Sequence, residues 1–300
     1  MKTVGLIGLG KIVEHYVRGL NASEYLQLCA VTDTDSSAIS RDIYAQYPFF
    51  TDYREMLAVA KPEAVIISTP PDSHFEIARY CLEHGTDVII EKPVTLCIKD
   101  FDKLMQIAEE NGRLLKTLFH WQGARELTNF TELYPTDSIR AIRISVKDPY
   151  STNGIIIDPP YRALKGAWFD SGVNALSMLR MWLPFDEVHI IDTQTVLCRE
   201  TGLPLFVTAQ LAIDGIEVTI SVDWRTGKNH KQTVIELDDR MVILNHSDQC
   251  IIDRDSVTEY ARMPRLQEHY YRLFSEMDAT SNLEQSRSIH RVLTEVYTRL

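Results

Sequence analysis

The sequence predicts an α/β fold. Residues 1–119 are expected to form a parallel sheet with helices on both faces, and residues 120–300 an α+β domain with an antiparallel sheet. Three observations carry this expectation. Up to residue 119, short apolar runs alternate with helix-like runs across short loops. The first two apolar runs are joined through Gly8-Leu9-Gly10 and a helix-like stretch. Beyond residue 119 the pattern changes to alternating runs joined by turn sequences, Asp214-Gly215 among them.

In order, residues 3–7 read as a strand, 11–20 as a helix and 25–32 as a second strand ending at Asp33, together a βαβ unit. A further helix is expected to begin near Ser36. Residues 64–67 are a short buried strand, 68–73 a proline-rich loop, and 75–83 a helix closed by Gly85. Strands follow at 86–90 and 113–119, separated by a helix at 99–110 that Gly112 closes. In the second half, 139–147, 205–213, 216–223, 233–237 and 241–244 read as strands, and 264–277 and 282–298 as helices. A helix is also expected to begin near Ser171.

Three hundred residues, 45% of them apolar, are enough for two cores. The formal charge of -11 and the scattered Lys and Arg argue against a nucleic-acid partner. No apolar run approaches the roughly 18 residues needed to cross a bilayer, and the N-terminus has no signal-peptide layout, so a cytoplasmic protein is expected. The five cysteines are widely spaced without a C-x-x-C pair and read as reduced core residues. The nine histidines form no H-x-x-x-H pair, and no metal is expected.

A glycine turn between a strand and a helix lets a backbone approach a pyrophosphate, so Gly8, Gly10, Lys11 and Ile12 point to a dinucleotide. Val13 stands where a third Gly or Ala is usual. The alternative is that the glycines only turn the chain and that Asp33 caps the next helix. Ligands in open α/β sheets lie beyond the strands' carboxyl ends, which adds Thr69, Pro70, His74, Glu91 and Lys92 to the cofactor candidates. Asp33 ends the second strand, where a carboxylate bonds ribose hydroxyls and repels a 2′-phosphate. No Arg follows it in Thr34-Asp35-Ser36, so NAD is expected over NADP.

Lys92 lies where a nicotinamide ring is expected. Burial and the positive ring favour its neutral amine and a nearby carboxylate its ammonium, which lets it act as acid or base. Its plain alternative is a surface lysine at a helix start. In the stretch 168–177, a helix starting near Ser171 would put Asp170, Asn174 and Ser177 on one face and Val173, Leu176, Leu179 and Leu183 on another. Asp170 can exchange a proton, whereas Asn174 can only orient a hydroxyl. A simple N-cap role for Asp170 stands beside that reading.

Gly8 to Ile12, Ser68-Thr69-Pro70-Pro71, Glu91-Lys92-Pro93 and Asp170-Ser171-Gly172 together resemble the glucose-fructose oxidoreductase/inositol dehydrogenase/MocA (Gfo/Idh/MocA) family of NAD(P)-dependent oxidoreductases. The resemblance implies a Rossmann domain, a second domain with an open, mostly antiparallel sheet, and hydride transfer to or from a sugar or polyol carbon. Most of the family carries His and Asp where this chain has Asn174 and Ser177. The stretch 169–177, with His120 and Asp223-Trp224-Arg225, looks more like a smaller group, the bacterial L-arabinose and D-galactose 1-dehydrogenases.

The expectation that follows is oxidation of the C1 hydroxyl of an aldopyranose to a lactone, with Lys92, Asp170 and Asn174 as catalytic residues. His120, Asp148 and Trp168, with Asn174, are expected at the sugar. The alternatives are another polyol or sugar derivative, or a regulator that binds NAD and a sugar without turnover. A phosphorylated substrate would draw its clamp from Arg162, Lys165 and Arg225. The resemblance also implies a homodimer or homotetramer.

Overall fold

The apolar runs at the start of the chain leave no polar face for water, so they belong in a parallel sheet covered on both sides. In the computed structural model, which describes residues 1–40, 42–157, 164–278 and 280–300, strands β1 (Lys2–Ile7), β2 (Leu26–Thr32), β3 (Phe49–Phe50), β4 (Ala64–Ile67), β5 (Asp87–Glu91) and β6 (Leu115–Leu118) form that sheet. Their order is β3-β2-β1-β4-β5-β6, all parallel. Ile7 stands level with Thr32 and Ile67, which puts three strand ends side by side where the order reverses about β1. One apolar cluster around Val4, Leu6 and Tyr16 and another around Val65, Ile90 and Phe101 cover the two faces.

Helices α1 (Tyr16–Ala22), α2 (Tyr53–Ala60), α3 (Pro71–Glu83) and α4 (Ile98–Glu110) connect these strands. The expected helix over 11–20 is a 3₁₀ turn at Lys11–His15 followed by α1. Helix α3 starts at Pro71, earlier than its apolar pattern suggests, because proline at the first helical position gives up an N–H that has no partner there anyway. The stretch near Ser36 forms only short 3₁₀ turns.

The chain divides into unit 1, Met1–Gly123 with Leu266–Arg287, and unit 2, Ala124–Arg265 with Ser288–Leu300. Sequence places a single boundary after residue 119. The observed crossing falls a few residues later, and a C-terminal stretch returns to unit 1. Tyr270 and Phe274 of α7 (Arg265–Ser275) belong to the Val4 cluster. An amphipathic pattern fixes which face of a helix is buried, and is silent about what buries it.

Unit 2 holds α5 (Arg125–Leu133), β7 (Ile139–Lys147), a short ribbon β8 (Ser151–Thr152) and β9 (Ile155–Ile156), α6 (Val173–Leu179), and β10 (Val188–Leu197) to β12 (Ile216–Asp223) through β11 (Pro204–Ile213). Strands β13 (His230–Leu237), β14 (Met241–Asn245), β15 (Cys250–Asp253) and β16 (Ser256–Glu259) follow, and α8 (Leu283–Tyr297) closes the chain. The eight-stranded order is β10-β11-β12-β7-β13-β14-β15-β16. Among the described residues only the β7–β12 pairing of this sheet is parallel, so the sheet is mixed and mostly antiparallel as expected. Along β7 from Ile142 on, Ile142, Ile144 and Val146 are buried while Arg143 and Lys147 are exposed, the alternation of a sheet covered on one face. Among the described residues no helix is long and apolar enough to cross a membrane.

Candidate active site

The glycine turn after β1 is built from two glycines with different reasons for being glycine. Gly8 has φ +90°, and a Cβ on it would lie 2.9 Å from the Thr69 backbone nitrogen, so conformation and packing both demand it. Ser68 Oγ donates to the Gly8 carbonyl at 2.8 Å and locks the two loops together. Gly10 has an ordinary φ of -65°, and an added Cβ would meet no heavy atom within 4 Å. Its missing side chain keeps open space beside the loop. Asp33 accepts from the Leu9 N–H at 2.7 Å and from the Asp35 N–H at 2.9 Å. A carboxylate has about four acceptor sites, so ribose hydroxyls can still be received.

These residues border a cleft of about 490 Å³ beyond the strand ends, together with Asp52, Tyr53, Thr69 and Pro70. Two carboxylates in the lining, a side-chain-free backbone at Gly10, and a size typical of a small-molecule site fit a dinucleotide. Ile12 packs against the Val4 cluster and Lys11 is exposed.

The other cofactor candidates of unit 1 hold loops in place. His74 is buried and its ring nitrogens lie 3.0 Å from the Pro93 carbonyl and 2.7 Å from the Thr69 carbonyl, clasping the loops after β4 and β5. Burial lowers its pKa from the usual histidine value. Glu91 is also buried, at the end of β5. It accepts hydrogen bonds from the hydroxyls of Tyr16 and Tyr270, the latter at 2.7 Å, and from the Lys92 N–H at 3.2 Å. Burial pushes the Glu91 carboxyl above the ordinary carboxylate value, while the tyrosine hydroxyls and the Lys92 charge pull it down. Lys92 itself is half-buried and precedes a cis peptide to Pro93.

His120 is buried in unit 1, its Nδ1 3.1 Å from His269 Nδ1. That contact needs one nitrogen bearing hydrogen and one bare, so at least one ring is neutral.

In unit 2 the expected helix near Ser171 enters through a π-turn, Trp168–Gly172, before α6. Such turns are rare and recur at functional sites. Asp170 lies on it, half-buried, and Asn174 is buried on the first turn of α6. Ser177 donates to the Asn174 carbonyl at 2.7 Å. Trp168, expected at the sugar, is fully buried: its Nε1 donates to the Leu293 carbonyl at 2.9 Å, and its ring fills the space over Gly172.

Asp148, one residue past β7, is likewise buried. It pairs with the buried Lys231 ammonium and accepts from Asn229 Nδ2 at 2.7 Å and Ser171 Oγ at 3.2 Å. Arg162 lies outside the described residues. Lys165 sits 5.4 Å from the centre of the Phe169 ring, and Arg225 pairs with Asp223 at 2.9 Å. Among the described residues no group of three or more His, Cys, Asp or Glu is arranged to hold a metal ion.

Sequence reasoning did not name Tyr16, Tyr270 or Lys231. For Lys231 a signal existed, since its spacing from Ile235 and Leu237 places it on their inward face. For the tyrosines, far from Glu91 in the chain, none did.

Residues 2–119 match the model of an oxidoreductase family with an NAD-binding Rossmann fold. This stretch is similar to the Gfo/Idh/MocA oxidoreductases. Among curated relatives, a myo-inositol 2-dehydrogenase of Thermotoga maritima is 22% identical over 66% of this chain and 59% of its own. A 2,7-anhydro-N-acetylneuraminate hydratase of Mediterraneibacter gnavus is 30% identical over 37% of this chain and 30% of its own. The alignments thus span less than two thirds of these relatives. A solved UDP-N-acetylglucosamine 3-dehydrogenase of Acidithiobacillus ferrooxidans shares the fold, with a TM-score of 0.81 at 17% identity over 100% of this chain and 97% of that one.

Proposed function

We propose that the protein is an NAD-dependent dehydrogenase that oxidises a sugar or polyol hydroxyl, with the C1 hydroxyl of an aldopyranose as its substrate group. The observation that carries this reading is the family-matched dinucleotide cleft on the same sheet whose β5 end bears Lys92. NAD, when bound, supplies the hydride acceptor. The chain's own residues bind, orient and move the proton: Lys92 and Asp170 form the acid–base pair, and Asn174 orients the hydroxyl. A coupled pair has no single owner for its proton. Asp33 and Asp52 at the cleft favour NAD over NADP, because a 2′-phosphate would face two carboxylates. The protein is taken to act as a cytoplasmic homodimer or homotetramer.

Spectrophotometric NADH formation with a panel of aldoses and inositols tests the reading, and titration of protein fluorescence with NADH and NADPH tests the cofactor. Lys92→Ala and Asp170→Ala are each expected to lower turnover about a hundredfold to ten-thousandfold with NADH binding retained. Undiminished turnover in either variant removes that residue from the mechanism. A second reading, a polyol such as an inositol, is favoured by the myo-inositol 2-dehydrogenase relative and is decided by the same panel. The hydratase relative makes a reaction without net NADH the outcome that would displace both.

A further inference from the structure

Asp170 sits on the π-turn Trp168–Gly172, and its N–H donates to the Gly166 carbonyl at 3.4 Å. A π-turn is less favourable than continuous α-helix and persists where surroundings over-determine it. Two tethers flank Asp170. On one side Trp168 is fixed by its bond to the Leu293 carbonyl and by contact with Gly172, where any Cβ would lie 2.7 Å from its ring.

On the other side is Ser171, fully buried. Its hydroxyl donates to Asp148 at 3.2 Å and accepts from Trp224 Nε1 at 3.1 Å. Asp148 lies where β7 and β12 end and β13 begins. Its N–H donates to the Asp223 carbonyl at 3.0 Å, and its carboxylate pairs with Lys231 and Asn229 of the neighbouring strand and its approach.

The geometry points to Ser171, Asp148 and Lys231 as positioning residues: a buried chain from the sheet through the Asp148 carboxylate to the Ser171 hydroxyl fixes the turn that carries Asp170. A hydroxyl has one hydrogen to donate, and here it is given to a carboxylate, which makes the stronger kind of bond. The carboxylate cannot swing away, because an ammonium holds it from the opposite side. Lys231 is charged at a cost: burial lowers its pKa, and the Asp148 carboxylate and, more weakly, that of Asp170 oppose this. Arg265 also feels Asp148. Both oxygens of Asp148 are therefore occupied within the protein, which assigns it to the support of Asp170 and not to a sugar hydroxyl.

The consequence for turnover rests on the dehydrogenase reading; the claim about the turn does not. The test is a pair of crystal structures, wild type and Ser171→Ala, together with steady-state kinetics. Ser171→Ala removes the tether and leaves the Asp148–Lys231 pair intact, so the fold is kept. The Asp170 carboxylate is expected to move by about 1 Å or to occupy two orientations, with kcat down about tenfold to a hundredfold and the sugar KM within about twofold. Ser171→Thr, which keeps the hydroxyl, is expected to restore most of kcat.

An unmoved turn with undiminished kcat overturns the inference. So does Asp148→Asn raising KM at constant kcat, the mark of a direct sugar contact. If wild type is inactive on every sugar and polyol tried, the functional reading falls, and the two crystal structures still decide whether Ser171 holds the turn.

Discussion

Each unit buries a carboxylate beside a candidate proton carrier, and the two units stabilise it by opposite means. Glu91 in unit 1 is held by neutral donors, two tyrosine hydroxyls and a backbone N–H. Asp148 in unit 2 is held by a full charge, the Lys231 ammonium, with side chains only 5% and 6% exposed. Neutral donors soften burial without cancelling it, so Glu91 remains shifted upward and responsive to pH. An ion pair fixes the charge of both partners and makes each dependent on the other. The lesson is that a buried acid can be set up as a group that titrates or as a strut, and its partners tell which.

The largest expected effect breaks the strut. Asp148→Asn leaves the Lys231 ammonium buried without its counter-charge, and loss of one partner of such a pair costs about 3–5 kcal/mol. Asp148→Asn/Lys231→Met, which removes both charges, is expected to recover most of that stability by urea unfolding. If the double variant is no more stable than the single one, the pair is not the strut described.

A second, smaller contrast separates groups consumed by the fold from groups left for a ligand, and it lies within one turn. Gly8→Ala places a side chain at φ +90° and against the Thr69 backbone, with an expected loss on the order of 3 kcal/mol. Gly10→Ala meets no protein atom, so its Tm is expected to stay at the wild-type value while NADH binding weakens in a fluorescence titration. Equal loss of stability in the two variants would remove the distinction.

The same division explains what could be read from the sequence. The parallel sheet was legible because Val65, Ile66 and Ile67 or Val88, Ile89 and Ile90 can only be buried on both faces, and the hairpin at Asp214-Gly215 because its turn chemistry is local. Gly8, Gly10 and Asp33 were legible for the same reason: their meaning is set by position at the end of a strand. Strand β10 was missed because His189, Asp192 and Gln194 interrupt its apolar pattern, as an edge strand that is nowhere more than half-buried permits. The roles of Glu91 and Asp148 were not legible, since Tyr270 is 179 residues from Glu91 and Lys231 is 83 from Asp148. The burial of Trp168 was not legible either, because an aromatic beside a polar face looks the same in sequence whether it points inward or outward.

The smallest effect tests whether Glu91 titrates. Tyr16→Phe removes one of its two hydroxyl donors and leaves Tyr270 in place. Where Glu91 is ionised, the loss is expected to be about 1.5–3 kcal/mol, the value of a hydrogen bond to a charged group. The sign of the pH dependence follows from the direction of the shift. A carboxyl whose pKa is raised on folding favours the folded state while it is protonated, and that contribution is lost as pH rises through the raised value. Without the Tyr16 hydroxyl, ionised Glu91 is held less well and its pKa rises further. The destabilisation should therefore be largest at pH above the raised value and shrink as the pH falls through it, because the folded carboxyl is then neutral. Urea unfolding of wild type and Tyr16→Phe at pH 4 and pH 7 measures the difference directly. A penalty that does not change with pH would mean that the hydroxyl matters for packing against Tyr270 and Phe274, and that Glu91, like Asp148, is a strut.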